Sequence, residues 1–106
     1  MNIETRRAKI LIVDDTPANV TLLTDLLEFY GYLTIQATSG HEALDQLKRD
    51  TPDLILLDVK MPKMSGYEVC KRIREQPDTT LLPVIMMTAF DPVQERIHGI
   101  EAGADD

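Results

Sequence analysis

Three short stretches of the chain are apolar almost without interruption: Ile10 to Val13 (ILIV), Leu54 to Leu57 (LILL) and Val84 to Met87 (VIMM). A run of about four such residues fits a strand buried on both faces, the pattern of central strands in a parallel sheet. A fourth run, Leu33 to Ala37 (LTIQA), alternates apolar with polar positions. Alternation predicts an edge strand with one wetter face.

The segments between these runs have helical spacing, with start and stop residues to match. Val20, Leu23, Leu27 and Tyr30 recur three or four apart, Thr16 can cap, Pro17 suits a first turn and Gly31 a stop. This predicts a helix from about Pro17 to Tyr30. Ser39 with Glu42, and Ser65 with Glu68, read as capping boxes. The first opens a segment carrying Ala43, Leu44 and Leu47, the second one carrying Val69, Arg72 and Ile73. Asp91, Pro92 and Gln94 start a further helix, with Val93, Ile97 and Ile100 on one face and Gly103 as its stop. Strands alternating with helices in the order β-α-β-α-β-α-β-α imply an α/β fold, a parallel sheet covered on both sides.

A chain of 106 residues with 43% apolar positions supports one domain with a real core. Eleven basic against 18 acidic residues leave a net charge of −7, so the segment has no reason to seek nucleic-acid backbones or anionic membranes. The single Cys70 excludes an intramolecular disulfide, and no apolar run approaches the ~18 residues of a membrane span. The start, MNIETRRAK, lacks the apolar stretch of a signal peptide. The expectation is a cytoplasmic domain from residue 9 to 106 behind a polar leader of residues 1 to 8.

In open parallel sheets, sites lie outside the carboxyl ends of the strands. The first strand ends in Asp14 and Asp15, the third in Asp58 and the fourth in Thr88. If the first and third strands are neighbours, three carboxylates and a hydroxyl share one rim. Their repulsion calls for a cation, and a hard divalent ion with oxygen ligands, Mg²⁺ before Ca²⁺, is the natural occupant.

These residues also carry a resemblance. KILIVDD (9–15), LILLDVKMPKMSG (54–66), PVIMMTA (83–89) and GIEAGADD (99–106) resemble the receiver domain of bacterial two-component response regulators, in order and over the whole chain after the leader. The resemblance implies a flavodoxin-like (CheY-like) doubly wound sheet with strand order 2-1-3-4(-5). It implies that Asp58 is the phosphoacceptor, taking a phosphoryl group from a histidine of a kinase or phosphotransfer protein. Asp14 and Asp15 match the acidic pair that holds Mg²⁺, the second directly and the first largely through water. Lys60 would offer its main-chain carbonyl to the metal, Thr88 the switch hydroxyl, and Ala89 a small neighbour that leaves the phosphoryl group approachable. The kinase would touch Pro17, Ala18 and Asn19. The module would signal to an output domain or partner by phosphorylating and dephosphorylating itself, and would not count as an enzyme.

The family continues after GADD with a fifth strand, a lysine that pairs with the phosphoryl group and a fifth helix, none of which is in these 106 residues. The expectation is a longer parent chain, with the fourth strand otherwise left as an exposed edge. A chain lacking that lysine is expected to bind Mg²⁺ yet to phosphorylate poorly. Two other classes fit less well. A Mg²⁺-dependent aspartyl-phosphate hydrolase of haloacid-dehalogenase type would need an acid where Thr16 stands, and a nucleotide binder would need a phosphate-cradling loop where Asp14 and Asp15 place negative charge.

The remaining reactive side chains have ordinary readings. Met61, Pro62 and Gly66 shape the loop after the third strand, and Cys70 is a small buried hydrophobe. His41 and His98 are surface residues, Phe90 packs beside its helix, and Lys71, Arg72 and Arg74 form a wet helix face.

Overall fold

The structure, a computed structural model, describes residues 7–87 and 102–105. Four parallel strands form one sheet: β1 (Lys9–Val13), β2 (Leu33–Ala37), β3 (Leu54–Asp58) and β4 (Val84–Met87). Their order is β2-β1-β3-β4, as the resemblance implied. Val13 lies opposite Leu57 in the β1–β3 pairing, so the residues next in the chain, Asp14 and Asp58, come side by side at the carboxyl end of the sheet.

Helix α1 (Pro17–Phe29) packs against β1 and β2; α2 (Gly40–Arg49) and α3 (Gly66–Glu75) cover the other face. Alternate residues of β1 therefore serve two cores. Leu11 and Val13 join Ile55, Leu57, Ala43, Val69, Cys70 and Ile73 under α2 and α3, while Ile10 and Ile12 are buried on the side of α1 together with Val20. Cys70 is wholly buried and His41 exposed, as expected.

The local signals act where they were expected, with two adjustments. Ser39 accepts from the Glu42 amide and Ser65 from the Glu68 amide. Gly31 ends α1 at φ 92°, with the Tyr32 amide on the Leu27 carbonyl and the Gly31 amide on the Glu28 carbonyl, the paired bonds of a Schellman stop. Tyr30 is the cap that precedes it, one residue beyond the helix. Thr16 occupies the N-cap, but its side chain makes no capping bond.

The apolar runs predicted burial on both faces, and β3 and β4 depart from that. Ile55 and Leu57 are fully buried, but Leu54 and Leu56 are half-buried, and Ile85 is 37% exposed. The physical reason is coverage: α1 sits over β1 and β2, and among the described residues no helix covers β3 and β4 on that face. The outer edge of β4 is met at its start by the Asp105 amide, which donates to the Val84 carbonyl.

One residue overturns its sequence reading. Arg74, expected on a wet helix face, is 20% exposed and gathers main-chain carbonyls: Nε donates to Gly103 at 2.8 Å, and Nη1 to Leu82 at 2.6 Å and Thr80 at 3.0 Å. Its Nη2 pairs with Asp105 at 3.0 Å, and the same Asp105 oxygen accepts the Val84 amide at 2.9 Å. The Thr80 and Leu82 carbonyls belong to the turn that follows the 3-10 segment Pro77–Thr79, outside the helices and strands whose ladders would satisfy them. Lys71 and Arg72 are exposed as read.

Candidate functional site

Because β1 and β3 are neighbours, the topology brings the two acidic strand ends together. Asp14, Asp15 and Asp58 each offer a carboxylate oxygen, and these oxygens all lie within 4.8 Å of one another. Asp14 is 5% exposed; Asp15 and Asp58 are half-buried.

Each acid is held differently. Asp14 accepts the Thr16 amide on Oδ1 at 2.9 Å and the Asn19 side-chain amide on Oδ2 at 3.3 Å, so the start of α1 grips both of its oxygens. Asp58 accepts the Lys60 amide on Oδ1 at 3.3 Å. Its carboxyl is pushed up from 3.8 to about 6. Burial is the largest cause and the Asp14 charge comes next; the Asp15 charge and a hydrogen bond with the Asp15 carboxyl also raise it, against the Lys60 amide, which lowers it. A carboxyl under that pressure favours a proton or a cation. The donor set is three hard oxygens in a half-open rim, which suits a divalent ion that keeps some of its waters.

The structure therefore gathers three of the residues expected at the site; of Lys60, expected there through its carbonyl, it is the amide that meets Asp58. Thr88 and Ala89 lie outside the described residues, as do Phe90, His98 and the helix expected from Asp91. Asn19, expected as a kinase contact, is exposed and also orients Asp14. Nothing in the sequence showed that bond, since it joins a strand end to a side chain in the first turn of the following helix. A cleft of about 660 Å³ between the ends of α2 and α3, with Leu47, Arg49, Arg72 and Ile73 among its lining residues, lies at the opposite edge of the sheet and contains none of the three acids.

The arrangement is that of a phosphoacceptor domain in the flavodoxin-like class, and the comparisons agree. The family profile of the response regulator receiver domain matches residues 10–106, and the chain belongs to that family, the phosphoacceptor modules of two-component signalling. It is 48% identical over 98 residues to the alkaline phosphatase synthesis transcriptional regulatory protein PhoP of Bacillus subtilis, covering 92% of this chain and 40% of that protein. It is 46% identical over 99 residues to the response regulator PleD of Caulobacter vibrioides, covering 93% of this chain and 22% of that protein. Among solved structures, a putative response regulator from Chloroflexus aurantiacus superposes with a TM-score of 0.91 at 40% identity, over 95% of this chain and 83% of that one. The chain thus spans less than half the length of these two curated relatives. Among the described residues no helix is long and apolar enough to cross a membrane.

Proposed function

We propose that Asp58 is the phosphoacceptor of this receiver domain, that Asp14, Asp15 and Asp58 with the Lys60 main-chain carbonyl hold Mg²⁺, and that Thr88 supplies the switch hydroxyl. The observation that carries the reading is the meeting of three carboxylates, one oxygen of each within 4.8 Å of the others, at the carboxyl edge of the sheet. When bound, Mg²⁺ supplies positive charge to the phosphoryl oxygens and relieves the repulsion among the acids.

The chain's own residues do the rest. With its carboxyl near 6, Asp58 is mostly ionised at neutral pH. A lone pair of its carboxylate forms the new O–P bond as the N–P bond to the donor histidine breaks, and that electron pair stays on the imidazole nitrogen. The Lys60 amide on Oδ1 fixes the carboxylate plane for in-line attack. Asp14, with both oxygens taken by Thr16 and Asn19, suits contact with the ion through water, and Asp15 suits direct contact.

The donor is a histidine kinase or phosphotransfer protein, the readout an output domain or partner protein, and the location the cytoplasm. The module counts as a self-modifying switch, not a turnover enzyme. Incubation with a small phosphodonor and Mg²⁺ tests the assignment by intact mass. One phosphoryl group should add to the chain and none to Asp58→Asn. Labelling that survives Asp58→Asn, or turnover of a generic phosphomonoester, would overturn it.

A further inference from the structure

Gly66 is the first residue of α3, behind its cap Ser65, and it is pressed onto the backbone of Asp58. A Cβ built on Gly66 would lie 2.2 Å from the Asp58 carbonyl oxygen, 3.0 Å from the Asp58 carbonyl carbon and 3.0 Å from Val59 Cα. All three are main-chain atoms, so no side-chain rotation relieves the overlap. Contact distance is restored only if the 58–59 peptide or the start of α3 moves by about 1 Å. Two successive peptides are tied here: the Val59 amide of the 58–59 peptide donates to the Met87 carbonyl of β4 at 3.1 Å, and the Val59 carbonyl of the next peptide accepts the Gly66 amide at 2.9 Å. The loop closed in this way keeps Met61 and Met64 buried and presents the Lys60 amide to Asp58.

We propose that Gly66 is a positioning residue for Asp58: its missing side chain lets the helix clamp the 58–59 peptide so that the carboxylate stands at cation-bridging distance from Asp14 and Asp15. This rests on the reading of the three acids as the Mg²⁺ and phosphoacceptor site. Displacing a reacting group by about 1 Å costs up to ~100-fold in rate. Gly66→Ala should therefore weaken Mg²⁺ binding at least fivefold and slow labelling of Asp58 at least tenfold.

The control is Ser65→Ala, which removes the cap of α3 and leaves the 58–59 peptide in place. Both variants should lower the urea midpoint, but Ser65→Ala should keep Mg²⁺ affinity within twofold of the unaltered chain. Mg²⁺ titration followed by ¹⁵N NMR, under conditions where each variant is folded, separates the two effects. In the unaltered chain the Gly66 and Val59 amide resonances should shift with the same midpoint as those of Asp15 and Asp58, a readout that holds even if Gly66→Ala does not fold. Unmoved Gly66 and Val59 resonances at Mg²⁺ saturation overturn the proposal. So does a folded Gly66→Ala with unchanged affinity while Asp58→Asn loses the ion. If Asp58→Asn binds Mg²⁺ like the unaltered chain, the reading of the site fails and Gly66's role falls with it.

Discussion

Asp58→Asn should make the metal-free chain more stable, and only above a definite pH. The folded protein holds this carboxyl near 6, against 3.8 when it is unperturbed, chiefly through burial and then the Asp14 charge. A shift of about two units corresponds to about 3 kcal/mol of penalty on the ionised form. Asp58 is only half-buried, and solvent screening reduces that figure to about 1–2 kcal/mol. The unfolded chain loses this proton near pH 3.8 and the folded chain near pH 6. Between those values the folded state binds more protons, so its stability falls as pH rises through the window and levels off above it. Asparagine carries no charge at any of these pH values. Its advantage is full above about pH 7, shrinks through pH 6 and is gone near pH 4.

Urea unfolding in the presence of a chelator at pH 7.5, 6 and 4 measures this directly, as a midpoint shift at constant slope. A variant no more stable than the parent at pH 7.5, or one that keeps its advantage at pH 4, would refute the reasoning. Adding Mg²⁺ gives an independent check. At twentyfold above its dissociation constant the ion stabilises the parent by about 1.8 kcal/mol, whereas the variant has lost a ligand and gains little. The order of stabilities should close or invert.

Among the described residues, Lys63 is the non-glycine residue with a positive φ, 70°, in the loop after β3. Lys63→Gly should raise the unfolding free energy by about 0.5–1 kcal/mol, since the strain removed exceeds the added freedom of the unfolded chain; a lower urea midpoint would count against this. Arg74→Met should cost about 3 kcal/mol, because carbonyls of Thr80, Leu82 and Gly103 lose a charged donor. The Val84 amide, held by Asp105, should exchange faster with solvent, and a loss under about 1 kcal/mol would show that other donors or water replace the guanidinium.

The strands, the order of elements and the acidic rim were legible in the sequence because each follows from a local pattern and one topological rule. Ile10 to Val13 had to be buried, helices had to return between parallel strands, and acids placed at the carboxyl ends of neighbouring strands had to meet. What escaped the sequence has long range or involves main-chain atoms. Arg74 looked like a surface charge because its partners are backbone carbonyls, one of them Gly103, 29 residues away, and no residue type advertises a needy carbonyl. Gly66 looked like loop punctuation because the atom it would strike is the Asp58 carbonyl, which any residue at position 58 would supply. Leu54, Leu56 and Ile85 were read as buried because apolarity reports what a face can tolerate, whereas its burial depends on which helix lies over it.

The two ends of the sheet obey opposite rules. At the amino end Arg74 and Asp105 give partners to the Thr80, Leu82 and Gly103 carbonyls and to the Val84 amide. At the carboxyl end unfavourable features collect within a few residues: crowded carboxylates at Asp14, Asp15 and Asp58, left-handed backbone at Lys63 and a helix start pressed on the Asp58 peptide. Strain that clusters in this way belongs to a site, but not all of it need serve the chemistry. Stability and Mg²⁺ affinity, measured together, sort the features. Lys63→Gly should stabilise the chain and leave Mg²⁺ affinity unchanged, because φ at position 63 relaxes within a loop whose ends are fixed by the Gly66–Val59 bond. Asp58→Asn should stabilise it and lose the ion. If Lys63→Gly also weakened Mg²⁺ binding, the left-handed turn would have to be counted among the parts that aim Lys60 at Asp58, and the clamp at Gly66 would not be sufficient to hold that loop.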